Sequence, residues 1–354
     1  MSQPAQPIEA DAFLASLRER TADGMVTIAL DGGELPVSVR LRESSSLVFT
    51  FSGAVDRDNH TLPRFAALGL DDHVPASIIG ISDPSLARSD DMKLAWYAGH
   101  EGFELQKILP GLFQHIIESL GATRVAFVGS SGGGFAALYY SWQIPGSVAV
   151  VSNPQTNLNR YNRGLLESYR AACWPSLGEE GQLEEKIAID LGPLYAKRCV
   201  NTMIYLQVAS DFYHIRRHFA PFVSGLPGKY ADRLIVRVAN WGRRGHIPVP
   251  ATIWIPWVNA ALTAPETTAA SIEKTWADQN PLAIPPLKPL PRTSRNEPIV
   301  TATRTARGDR KPSRHPAAEP PTRHGGRDEQ IAAELARDAI GSLLGSQSSG
   351  VNVS

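Results

Sequence analysis

The residues best placed to do chemistry lie in the run Gly129-Ser130-Ser131-Gly132-Gly133-Gly134. The pattern G-x-S-x-G falls on Gly129, Ser131 and Gly133, with an apolar strand-like segment before it and an Ala-, Leu- and Tyr-rich helical segment after it. A serine on such a strand–turn–helix is presented as a nucleophile. The glycines remove side chains that would clash and let Ser131 take an unfavourable backbone conformation. Its oxygen then sits near a helix N-terminus, where developing negative charge is stabilised. Ser130 is out of frame, because Val128 stands where a glycine would be needed. A phosphate loop would need Lys followed by Ser or Thr after the glycines, and Phe135-Ala136 stands there instead. Gly132, Gly134 and Ala137 fit G-x-G-x-x-A, but the first acid beyond them is Glu167, too poorly placed for a dinucleotide ribose.

A serine hydroxyl needs a base to take its proton, and the base needs an orienting carboxylate. Chain order Ser, acid, His fits a serine on this kind of turn. The segment Thr202–Val208 reads as a strand and ends in Ala209-Ser210-Asp211. Arg233–Val238 reads as the next strand, and His246 follows it in a Gly-containing loop before a last helix. Asp211 and His246 are therefore the expected acid and base, although Asp211 could equally cap the next helix. Asp190 and Asp232 do not follow the relevant strand. His60, His73 and His100 precede the serine, His115 lies in a helical pattern, and His315 and His324 lie near the C-terminus. His214 and His218 share one helix face, lack the Glu of an H-E-x-x-H zinc motif, and are expected at the surface or facing substrate. For the oxyanion hole, one donor should be the N–H of Gly132. The other should be the N–H of Gly53 or Ala54, after the strand Ser46–Phe51.

These positions need a scaffold. Short β-branched runs bounded by turn residues predict further strands at Met25–Leu30, Pro36–Arg42, Ala76–Ile81, Arg124–Val128 and Ser147–Val151. Asp31-Gly32-Gly33 predicts a hairpin between the first two. Helical patterns fall at Leu105–Leu120, Gly134–Gln143, Phe212–Ser224 and Pro250–Leu262. This alternation predicts an α/β fold, doubly wound around a mostly parallel sheet. Asn159–Lys197 interrupts it and is expected to form a helical cap over the site. Within it Tyr161, Arg163 and Trp174 are the expected substrate-binding residues, suited to a polar substrate such as a glycan or an acidic acyl group.

Composition narrows the class. The chain has 354 residues, 43% hydrophobic and 20% charged, which is globular. Lys+Arg 35 balances Asp+Glu 35, which argues against a dedicated nucleic-acid binder. Cys173 and Cys199 offer neither a disulfide framework nor zinc spacing. No apolar run reaches the ~18–20 residues of a membrane span, and the polar N-terminus has no signal-peptide core, so a cytoplasmic location is expected. The expected hydrolase domain is 1–263. A basic, Pro-rich linker over 264–326 follows, poor in large apolar residues and expected to be disordered. A short amphipathic helix over 327–345 and a disordered end over 346–354 complete the chain. Pro285–Arg327 holds ten Lys or Arg against three Asp or Glu, and this tail could capture a protein partner.

On the GSSGGG run at Gly129–Gly134, Asp211 after a strand, GHIP at Gly245–Pro248 and FSGA at Phe51–Ala54, the sequence resembles the α/β-hydrolase superfamily over Met25–Leu262. The stretch FVGSSGGGFAALYYS…IPGS…NPQT is similar to a group of largely uncharacterised bacterial hydrolase-like proteins. Three glycines in a row after Ser131 depart from the usual elbow. The resemblance implies a serine hydrolase acting on a small-molecule or glycan ester through a covalent acyl-enzyme. It implies no metal or organic cofactor. A non-catalytic binding scaffold on the same fold, and an acyltransferase using the same triad, are the alternatives.

Overall fold

The computed structural model describes residues 6–281, apart from 68, 179, 180 and 243. One nine-stranded sheet organises them: β1 (Ile8–Glu9), β2 (Gly24–Leu30), β3 (Gly33–Arg40), β4 (Ser46–Phe51), β5 (Ser77–Ile81), β6 (Arg124–Ser130), β7 (Val148–Ser152), β8 (Thr202–Val208) and β9 (Leu234–Ala239). Their spatial order is β1-β2-β3-β5-β4-β6-β7-β8-β9. Pairing is antiparallel only where β3 meets β2 and β5; all other neighbours run parallel. The C-terminal ends of β4, β6, β7, β8 and β9 therefore share one edge, where ligands of open α/β sheets bind.

The central strands alternate between two cores, as a period of two requires. Leu47, Phe49 and Phe51 of β4, Phe127 of β6, and Met203 and Tyr205 of β8 face one side. On that side lie α1 (Ala10–Arg18), α2 (Leu105–Leu120), α3 (Gly132–Gln143), α4 (Arg163–Cys173) and α5 (Leu191–Lys197). The same core takes the broken helix α6 (Phe212–His214), a π-turn at Ile215–Phe219, and α7 (Ala220–Ser224). Val48, Ala126, Val128, Ile204 and Leu206 face the other side, under α8 (Ala251–Thr263) and α9 (Ala269–Gln279). Phe49, Phe51, Phe113, Phe127 and Tyr140 interlock below the site, with ring centroids 4.5–6.3 Å apart. Burying each ring contributes about 1.5–3 kcal/mol and makes a stiff floor.

The structure corrects the expected end of the folded region. α9 lies inside the stretch read as linker from residue 264. Its Trp276 stacks on Trp257 of α8 at 4.6 Å, and Ile272 is fully buried. Thr268 caps it, accepting from the Ser271 N–H. The expected linker beyond residue 281 and the expected helix over 327–345 lie outside the described residues. No described helix is long and apolar enough to cross a membrane.

Candidate active site

β6 runs straight into α3, and the turn is so tight that Ser131 has φ 53° and ψ −117°. That conformation is strained for a residue with a side chain. It is held because neighbours leave no alternative. A Cβ on Gly129 would lie 2.1 Å from the Gly133 carbonyl oxygen, and one on Gly133 would lie 2.4 Å from that of Phe51. The Ser131 N–H donates to the Ser152 carbonyl at 3.0 Å. Ser131 stands at the N-cap of α3 and is 6% exposed.

The predicted oxyanion donors sit beside it. A Cβ on Gly53 would be 3.7 Å from Ser131 Cβ, which places this loop against the serine. Among the described residues the N–H groups of Gly132 and Gly53 have no hydrogen-bond partner. Ala54 is exposed, one step further along the loop.

The structure brings Asp211 and His246 together as the sequence predicts. Asp211 follows β8 and His246 follows β9. His246 Nδ1 and Asp211 Oδ2 are 2.6 Å apart. Asn153, just past β7, fixes both loops. Its Oδ1 accepts from the Val208 N–H at 2.7 Å, and its Nδ2 donates to the Ile247 carbonyl at 2.9 Å. Asp211 also caps α6, accepting from the His214 N–H at 3.2 Å. Burial pushes the Asp211 carboxyl up, but hydrogen bonds from His214 and His246 outweigh it and hold the group well below the usual carboxylate range. An ionised Asp211 can only accept, so both imidazoles present Nδ1–H to it. With Nδ1 committed to Asp211, Nε2 is the His246 ring nitrogen that the carboxylate does not hold. Ser131 and His246 share no hydrogen bond among the described residues, a looseness common in unliganded sites.

Of the two places expected for His214, the surface is excluded, and the ring lies at the candidate site. It is 2% exposed, its Nδ1 lies 3.1 Å from Asp211 Oδ1, and its ring stacks on His246 at 4.1 Å and 11°. His218 is fully buried and accepts from the Thr156 N–H through Nδ1 at 3.3 Å. Burial holds His214 low, and holds His218 down to about 3. The π-turn at Ile215–Phe219 begins directly after His214; such turns often mark functional positions. Ligand atoms of Asp211, His214 and His246 lie within 4.8 Å of one another. Nearly parallel stacked rings cannot both aim in-plane lone pairs at one ion, so this cluster reads as two imidazoles sharing one carboxylate.

The expected substrate residues separate. Tyr161 lies at the site, its ring 5.9 Å from that of His214. Burial, then Tyr213 and Asp211, push its hydroxyl up, while Ser131 beside it pulls the other way. Arg163 is exposed on α4 and pairs with Glu167 at 3.9 Å. Trp174 is 2% exposed and donates to the Tyr169 hydroxyl at 2.9 Å, so it belongs to the core and not to a binding surface. The insertion over 159–197 also packs largely into the main core, through Leu166, Tyr169, Cys173 and Trp174.

Gln155 escaped the sequence reading. It is fully buried, and its Nε2 donates to Ser131 Oγ at 3.1 Å. The one available signal was its place in Asn153-Pro154-Gln155-Thr156, just past the end of a parallel strand.

No protein-family model matches this chain, and no curated protein matches it. Solved structures do. The capsule O-acetyltransferase of Neisseria meningitidis serogroup A aligns over 67% of this chain and 94% of its own, at 14% identity and TM-score 0.49. A fluorophosphonate-binding serine hydrolase of Staphylococcus aureus aligns over 68% and 98%, at 10% identity and TM-score 0.40. An S-formylglutathione hydrolase from Agrobacterium tumefaciens aligns over 71% and 99%, at 12% identity and TM-score 0.42. At such identities the likeness leaves the substrate open. The sheet order, the strained serine between β6 and α3, and the loops after β8 and β9 are those of an α/β-hydrolase fold.

Proposed function

We propose that the chain is a serine esterase that works through an acyl-enzyme, with Ser131 as nucleophile, His246 as base and Asp211 as its orienting carboxylate. The observation that carries this reading is the meeting of two unusual features on one sheet edge. One is a serine at φ 53° on a helix N-cap; the other is a buried carboxylate 2.6 Å from a histidine on the next loop. Ser131 Oγ attacks the ester carbonyl as its proton passes to His246 Nε2. The carbonyl oxygen becomes negative and is met by the N–H groups of Gly132 and Gly53; losing one such donor slows catalysis by about 10²–10³-fold. The imidazolium then protonates the departing alcohol, and the C–O bond to it breaks. Water, deprotonated by His246, releases the acid. Asp211 holds the Nδ1–H throughout and stabilises the charged ring.

A mostly apolar cavity of about 160 Å³ supports a short acyl group as the bound part. Gly53, Ser130, Val128, Val249 and Trp254 are among its lining, so it adjoins the serine through its neighbour Ser130 and the loop of Gly53. Incubation with p-nitrophenyl butyrate tests the reading. Expected are p-nitrophenol release and a butyryl mass increment on Ser131, both absent in Ser131→Ala. A folded wild-type protein that neither acylates nor releases p-nitrophenol from acetate, butyrate or hexanoate esters would contradict it.

A further inference from the structure

The nucleophile and the oxyanion loop are both tied to one buried dipeptide, Trp96-Tyr97. Both residues have positive φ, 54° and 56°, although neither is glycine. Strain of this kind persists only where the surroundings over-determine it. Here they do. The Tyr97 N–H donates to Asp83 Oδ2 at 2.6 Å, and the Tyr140 hydroxyl donates to the Tyr97 carbonyl at 2.6 Å. The Trp96 ring meets Tyr169 edge-on at 5.6 Å. From this anchor two arms reach the site. The Tyr97 hydroxyl accepts from the Ser52 N–H at 2.6 Å, one residue before Gly53. Trp96 Nε1–H donates to Gln155 Oε1. That bond fixes which end of the Gln155 amide faces Ser131, so Nε2 is the end directed at Oγ. Gln155 grips the same serine a second time, because its backbone N–H donates to the Ser131 carbonyl at 3.1 Å.

Resting on the serine-esterase reading, we propose that Gln155 is a further catalytic residue, its amide donating to Ser131 Oγ, and that Trp96 is the positioning residue that sets its direction. A donor on Oγ occupies one lone pair, so the hydroxyl proton must point away from Gln155. The bond strengthens as Oγ gains negative charge, since hydrogen bonds to ionised acceptors are roughly twice as strong as neutral ones. Gln155, Trp96 and Tyr97 are all nearly or fully buried, so these bonds form away from competing water. Burial raises Asp83 to about 6 against the pull of the Tyr97 and Ser85 N–H groups.

The test measures saturation kinetics of labelling by a small fluorophosphonate, together with the thermal midpoint, for wild type, Gln155→Glu and Trp96→Phe. Gln155→Glu keeps the shape but turns an acceptor toward Oγ. Its maximal labelling rate should fall about 10²–10³-fold. Trp96→Phe keeps an aromatic ring but removes Nε1–H, and its maximal rate should fall about tenfold with the half-saturating probe concentration unchanged. If wild type labels at Ser131 and both folded variants label at the wild-type maximal rate, Gln155 is only structural and the proposal is overturned alone. If wild type does not label, the esterase reading fails and takes the proposal with it.

Discussion

Ser131 and His246 reach the same sheet edge on very different supports. Ser131 is 6% exposed, grows directly out of a central strand, and is bonded through its N–H, carbonyl and hydroxyl. The His246 side chain is 42% exposed and rides on a loop with two left-handed glycines, Gly242 at φ 114° and Gly245 at φ 91°. That loop is held by Asp211, by Asn153, and by a bond from the Gly245 N–H to Ser210 Oγ at 3.2 Å. The proposed nucleophile is thus pre-organised by the core, while the proposed base is positioned by a few polar contacts. Electrostatic preorganisation favours spending rigidity where charge develops. The proton carrier must accept, turn and release, and a lighter tether suits it.

The sharpest way to break this comparison is to cut the tether. Asp211→Asn should lower ester turnover by about 10⁴-fold, the size seen when such a carboxylate loses its charge. Turnover within tenfold of wild type would remove Asp211 from the mechanism. Next come two glycines, one on each side. Gly133→Ala would drive a Cβ to 2.4 and 2.6 Å from the carbonyl oxygens of Phe51 and Ser52. A loss of about 3–5 kcal/mol in urea unfolding and loss of labelling are expected. Gly245→Ala meets no atom within 4 Å but is strained at φ +91°. It should lose only about 1–2 kcal/mol, with turnover down about tenfold. Equal effects from the two would mean the supports do not differ.

A smaller effect concerns the buried histidines. Burial first, then the charges of His214, Arg160 and Arg217, hold His218 down to about 3, while Asp211 pulls the other way. The unfolded chain takes up that proton near 6.5 and the folded chain does not. The contribution of His218 to stability is therefore full above about pH 6.5 and is lost as pH drops toward 3. His218→Gln should flatten that fall in a series of unfolding curves, and an unchanged slope would count against a neutral buried His218. Smallest of all, Arg163→Ala should change turnover less than twofold, because its side chain points to Glu167 at the surface.

Much of the scaffold was legible from residue patterns. Ser46–Phe51, Thr202–Val208 and Leu105–Leu120 fall where apolar runs and turn residues put them. The places of Ser131, Asp211 and His246 were legible because each follows a strand of one sheet; their proposed roles rest on the experiments above. What escaped depends on partners far away in sequence. α9 has a sparse apolar face, and it packs through the stack of Trp276 on Trp257 and the burial of Ile272 and Ala269. Trp174 carries no local sign of whether it faces a ligand or the core. The burial of His214 escaped because its spacing to His218 gives no hint that its ring would share the Asp211 carboxylate with His246. Gln155 could not be assigned until Trp96, 59 positions away, fixed its amide.

The most direct test is intact-mass analysis after fluorophosphonate treatment of wild type, Ser131→Ala and His246→Ala. The account predicts one adduct on wild type, at Ser131; none on Ser131→Ala; and labelling of His246→Ala slowed by about 10³-fold or more. A folded wild type that takes no label, or an adduct that persists in Ser131→Ala, would contradict it.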